Sequence, residues 1–306
     1  MLQFSSLYRV VGTQNHFKNG TGSENMSSQV IFKKILQVII LVLSVTQFSC
    51  IRKQQSEMIT EENYLKVDSL IWAQYEQDME KISECYQNHP EKKDSLIAVS
   101  EQVDAIASKK NIEAAIKYAS VPSGLRRLYM VRLNIAKDTI LSILKNLPDS
   151  MQFSPYGKSL LYHIETEQIS EGSKYYDFQS IDTEGGNFAL SSLEGKNILL
   201  LYGGLGCMGP GGREYLNKIY QETSRNNFEI VVYCPNSDLE NLQKVRTTYP
   251  CDFLLVSDFL QDHTPMKILY GAQATPTCFF LNQEGLVVMK TTGLYQERVS
   301  QLLSEL

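Results

Sequence analysis

A cysteine in a glycine-rich turn between an apolar strand and a helix is where a reactive sulfur is expected. Residues 197–212, NILLLYGGLGCMGPGG, have that form. The run 198–202 is continuously apolar and the turn carries Cys207. Tyr215, Leu216, Ile219 and Tyr220 then recur at helical spacing. A helix start offers unpaired N–H groups and a partial positive charge, and both favour thiolate. A second stretch, residues 274–280, ATPTCFF, sets Thr275 and Pro276 just before a short strand, where a cis proline is expected. Arg213, just beyond the turn, is the nearby cation and a candidate contact for a thiolate or a substrate.

Other chemistries find little support. The six cysteines, at 50, 85, 207, 234, 251 and 278, form no C-x2-C pair and do not cluster with histidine. Neither a zinc site nor any cofactor is expected. A net charge of −5 and the lack of a basic patch interleaved with aromatics argue against a nucleic-acid partner. The turn is glycine-rich after a strand, yet it lacks the Lys-Ser/Thr of a phosphate-binding loop.

Several elements must position these residues. The 306 residues, 43% of them hydrophobic, suffice for one or two globular domains. From residue 61 the pattern is helical: Ile71, Tyr75, Met79, Ile82 and Tyr86, then a break at His89-Pro90. Further helices are predicted over 94–109, 112–119, 123–147 and 156–168, with Pro148 stopping the longest. Residues 61–170 thus read as an all-helical domain without a catalytic constellation, a spacer or partner surface, and 171–174 as a linker. Strands follow at 175–181 and 187–190, joined by a hairpin turn at 183–186. The later strands fall at 198–202, 228–234, 253–256, 277–281 and 286–291, with helices between them and a last helix at 296–306. This alternation predicts an α/β domain over 175–306, a mixed sheet with helices on both faces.

The order strand, cysteine turn, helix, later Thr-Pro before a strand resembles the thioredoxin-like superfamily, in particular its TlpA-type and AhpC/TSA-type envelope members. The resemblance covers about residues 175–306. It implies a thioredoxin-like fold and a proline loop beside the cysteine turn, where the Thr275 backbone offers itself to an extended peptide. It also implies two thiols, three residues apart, at the helix start. Here the sequence departs from the pattern. If Cys207 takes the nucleophile's place, Pro210 stands where the second thiol belongs. If Gly209-Pro210 takes the family's central Gly-Pro, Met208 and Gly211 replace both cysteines; one extra glycine in the turn would reconcile the two registers.

Exchange of a thiol with a disulfide needs one sulfur to attack and another to resolve. Cys207 is the candidate nucleophile. Cys234, closing a strand, Cys251, in the following loop, and Cys278, after the Pro276 loop, are candidate resolving thiols. Cys278 lies in an apolar strand and reads as buried. Three functions stay open: a thiol-disulfide oxidoreductase-like protein with a degenerate one-cysteine site, a redox-inactive module binding an extended segment of a protein partner, and a one-cysteine peroxidase. Its partners are then protein thiols, disulfides or extended peptides.

The N-terminus reads as a targeting segment. Lys33 and Lys34 precede the apolar run 35–45, and TQFSC ends at Cys50. This resembles a bacterial lipoprotein signal with Cys50 as the lipid-bearing residue, over a leader of 1–50 and a tether of 51–60; a plain membrane anchor is the alternative. Met26 is a better signal-peptide start than Met1. A lipid anchor would place the mature protein on the periplasmic side of a Gram-negative envelope. Ile51 in place of an aspartate favours the outer membrane.

Overall fold

A computed structural model describes residues 58–305. The leader, the expected start at Met26, the lipidation candidate Cys50 and most of the tether lie outside the described residues. From Ile59 onward the described chain is one compact unit. Among the described residues no helix is long and apolar enough to cross a membrane.

The helical segment opens with α1 (Glu61–Asn88), capped by Thr60, whose hydroxyl accepts from the Asn63 amide at 3.2 Å. Pro90 follows its end, and α2 (Lys93–Lys117) packs back along it. The expected division of α2 near residue 110 does not occur. Lys110 and Asn111 carry no backbone impediment, and Asn111 is buried in the helix pair. The opposite correction applies to 123–147, which is two helices, α3 (Pro122–Met130) and α4 (Lys137–Lys145). Between them Arg132 turns inward and donates to the Tyr129 carbonyl at 3.0 Å, drawing the chain into a short 3-10 turn. A short helix missed in the sequence, α5 (Asp149–Gln152), precedes α6 (Pro155–Glu165), which Ser154 caps.

The rest is a seven-stranded mixed sheet with helices. Its elements are β1 (Gln179–Asp182), β2 (Asn187–Ala189), β3 (Asn197–Tyr202), α7 (Gly209–Glu222), β4 (Phe228–Tyr233), α8 (Leu239–Thr248), β5 (Leu254–Ser257), α9 (Pro265–Leu269), β6 (Thr277–Leu281), β7 (Val287–Thr292) and α10 (Gln296–Ser304). The strand order is β2-β1-β5-β4-β3-β6-β7; β3, β4 and β5 run parallel and the other pairs antiparallel. All six residues of both β3 and β4 are buried, because helices cover both faces, and a strand buried twice reads as a continuous apolar run. Ile198, Leu200 and Tyr202 enter the core of one face, Leu199 and Leu201 that of the other.

The first strand starts later than expected. Residues 175–178 lie outside β1 because their groups serve packing: the Tyr175 amide donates to Gly285, the Tyr176 carbonyl accepts from the Tyr270 hydroxyl, and Phe178 enters the core. The helical segment docks through α9, which places Met266 in the sheet-face core and Ile268 in the helical core.

Candidate active site

The geometry follows from the end of β3. Its pairing with β4 extends one residue further, the Gly203 amide donating to Tyr233 at 2.7 Å. The chain then turns tightly, with the amides of Cys207 and Met208 both donating to the Gly204 carbonyl at 2.9 Å. Leu205 buries its side chain beneath the turn and α7 begins, with Met208 as its N-cap and Pro210 in its first turn.

Two other parts of the chain hold this turn. From α7, Arg213 donates to the Leu205 carbonyl at 2.9 Å and lies 4.9 Å above the Tyr249 ring. The Tyr249 hydroxyl in turn sits 2.9 Å from where a side chain at Gly206 would begin. On the other side is the loop before β6, with Thr275-Pro276 joined by a cis bond. A Cβ at Gly204 would meet Pro276 atoms at 2.5–2.7 Å, so only a bare backbone allows this approach. The Pro276 carbonyl accepts from the Gly293 amide at 2.8 Å, which ties the loop to the end of β7.

Cys207 and Thr275 meet here, Sγ to Oγ1, at 3.5 Å. Cys207 is half-buried. The structure thus brings Cys207, Thr275 and Pro276 together. Arg213 braces the turn through a carbonyl, where the sequence suggested a contact with thiolate or substrate. Cys207 stands opposite the proline loop, while Met208 packs its thioether toward Gly212. The residue three beyond Cys207 is Pro210, which has no thiol.

The three candidate resolving thiols sit differently. Cys278 is fully buried in β6 opposite Leu201, and burial pushes its thiol up to about 12. Burial does the same to Cys234, just past β4, also to about 12. Cys251 is half-buried and raised to about 11 by desolvation, against the opposing pull of Arg246. A protonated thiol is a poor attacker, so in this conformation all three are weak nucleophiles at neutral pH. Among the described residues no three His, Cys, Asp or Glu side chains gather as a metal site.

ResA, a thiol-disulfide oxidoreductase of Bacillus subtilis (strain 168), is 32% identical to this chain over 135 residues, which are 43% of the chain and 72% of ResA. The chain belongs to the thioredoxin-like superfamily. The ResA of Halalkalibacterium halodurans matches at 26% over 170 residues, 54% of this chain and 92% of that protein. These thioredoxin-like relatives are thiol-disulfide oxidoreductases. Among solved structures, a putative thiol:disulfide interchange protein DsbE from Chlorobium tepidum matches with a TM-score of 0.40 at 21% identity, over 45% of this chain and 98% of its own. No protein-family model matches the chain.

The Tyr249 brace and the Thr275 hydroxyl of this thioredoxin-like site escaped the sequence reading. Tyr249 gives one hint, an aromatic at a helix end before a proline. Contact between the Thr275 hydroxyl and the sulfur depends on tertiary approach alone.

Proposed function

We propose that the protein is a one-cysteine thiol-disulfide oxidoreductase of the bacterial envelope. The observation that carries this reading is the Cys207 sulfur 3.5 Å from the Thr275 hydroxyl, beside a cis-proline loop. The sulfur acts as thiolate on one sulfur of a partner's disulfide. A bond forms between Cys207 and that sulfur, the partner's S–S bond breaks, and its second sulfur leaves as thiolate. The partner chain lies extended along the Thr275 backbone, whose polar groups pair with it as a neighbouring strand would. With Pro210 in the usual place of the second thiol, a thiol from outside the turn attacks the Cys207 sulfur of the mixed disulfide and releases the partner's sulfur as thiolate. A second equivalent of that thiol then attacks the new mixed disulfide, freeing Cys207 and leaving the two donor sulfurs joined as a disulfide. The envelope location rests on the lipoprotein-type signal ending at Cys50, with the lipid anchored in the outer membrane of a Gram-negative cell.

The test supplies the purified chain with a disulfide-containing protein and excess small thiol as electron donor. Faster disulfide loss than without the chain, abolished in Cys207→Ser, is expected. Equal rates for the two chains would overturn the reading. The alternative is a redox-inactive module that binds an extended peptide, favoured by the burial of Cys234 and Cys278 and by desolvation, which pushes all three candidate resolving thiols upward. Peptide retained equally by both chains, without disulfide loss, would select it.

A further inference from the structure

Arg132 belongs to the helical segment, yet it is fully buried against the sheet domain. Its guanidinium donates to three carbonyls: Tyr129 at 3.0 Å, Lys267 at 3.2 Å and Ala272 at 3.5 Å. It also stacks 4.4 Å from the Tyr129 ring. Burying a guanidinium is costly, and here its two terminal nitrogens are both bonded while Nε has no partner among the described residues. Asp262 pairs directly with Lys267, 2.6 Å away, and acts on Arg132 only at longer range. What Arg132 holds directly is backbone.

The position of that backbone matters. Lys267 and Ala272 stand at the two ends of one turn, closed by the Ala272 amide donating to the Lys267 carbonyl at 3.0 Å. Four residues after Ala272 comes Pro276. The other end of the loop is fixed within the sheet domain, by Gly293 on the Pro276 carbonyl and by the Thr277 hydroxyl on the Ala274 carbonyl at 2.7 Å. The near end is packed in the sheet-face core through Met266, Tyr270 and Ala272, and Arg132 adds to this a direct hold from the helical segment on two of its carbonyls. A second tie acts in the same place: the Ile169 amide donates to the Leu269 carbonyl at 2.8 Å.

We propose that Arg132 is a positioning residue for the Thr275-Pro276 loop, so that the helical segment is part of the active-site framework. The rigid fork of a guanidinium suits this task, since it holds two carbonyls at a fixed separation. Its consequence for partner docking rests on the function proposed above; its consequence for the loop does not.

The experiment measures amide hydrogen exchange over residues 271–277 in the full chain, divided by exchange in β3 and β4 to remove any change in global stability. Arg132→Met, which keeps most of the volume and removes the donors, is expected to raise that ratio at least tenfold. Arg132→Lys, with a single ammonium, is expected to fall between Met and wild type, and it supplies the reading should the Met chain not fold. Leu160→Ala, a cavity in the same helical core, is expected to leave the ratio unchanged. Repeating the set in a Cys207→Ser background is expected to give the same values, because no redox step is involved. In chains with Cys207, the KM for a disulfide substrate rises in Arg132→Lys while alkylation of Cys207 by iodoacetamide keeps its rate. A loop ratio in the Arg132 variants no greater than in Leu160→Ala would overturn the proposal. Loss of disulfide turnover throughout, with the exchange pattern intact, would sink the redox reading alone.

Discussion

Three glycines of the cysteine turn allow backbone strain and crowding to be measured separately. Gly211 has ordinary helical geometry, and a Cβ there would meet nothing within 4 Å. Gly211→Ala should therefore gain the usual helix increment of about 0.5–1 kcal/mol. Gly209 is equally open but has φ +71°, so Gly209→Ala should lose roughly 1–2 kcal/mol to backbone conformation alone. Gly204 has φ +97° and would set its new carbon at 2.5–2.7 Å from Pro276, whose ring cannot swing aside. To the backbone cost is added an overpacking cost of about 1–3 kcal/mol, giving about 2–5 kcal/mol in all. Urea unfolding followed by far-ultraviolet ellipticity measures all three. The expected order of stability is Gly211→Ala, wild type, Gly209→Ala, Gly204→Ala. A Gly204→Ala chain within 1 kcal/mol of Gly209→Ala would refute the claim that the turn and the proline loop are in fixed contact. The same chain should lose disulfide turnover even where it remains folded.

Two further outcomes follow from the site and the seam. Pro210→Cys places a thiol three residues beyond Cys207; mild oxidation should then remove two thiols from the Ellman count and add an internal disulfide seen by mass, whereas Gly211→Cys should do so less readily. His163 is buried, and desolvation, with help from Arg132 and Lys137, pulls its value down to about 4. As pH falls below about 6.5 the unfolded chain takes up the proton first, so stability declines until about pH 4 and then levels, by roughly 3 kcal/mol at most. His163→Gln should flatten that slope in urea titrations taken between pH 7 and pH 4.

What could be read in the sequence was what local pattern encodes. The run at 198–202, doubly buried in β3, and the turn with Cys207 both follow from residues adjacent in the chain. Pro276 announced its loop because proline restricts its own neighbourhood. The continuity of α2 was hidden by Asn111, a polar residue that is nonetheless buried in the helical segment. The break after Met130 was hidden because Arg132 reads as a surface cation, and only a partner surface turns it inward. The same reason concealed the seam as a whole, since Lys267, 2% exposed, and Asp262 carry charges that a linear reading assigns to solvent. At the site, the Thr275 hydroxyl lies against the sulfur only because β3 and β6 are sheet neighbours.

The lone indole of the chain, Trp72, sits in α1, where its N–H donates to Asp68 at 3.2 Å and the guanidinium of Arg127 from α3 lies 5.6 Å from its ring. Arg127 also grips Asp68 at 2.9 Å. The molecule therefore carries an optical reporter of the helical layer that is anchored far along the chain from the thiol. Its emission follows the parting of α1 from α3, while ellipticity follows the sheet as well. Because the Arg132 seam joins the two layers, the two signals should change at one denaturant midpoint. Two separate midpoints would reveal a molecule that comes apart layer by layer.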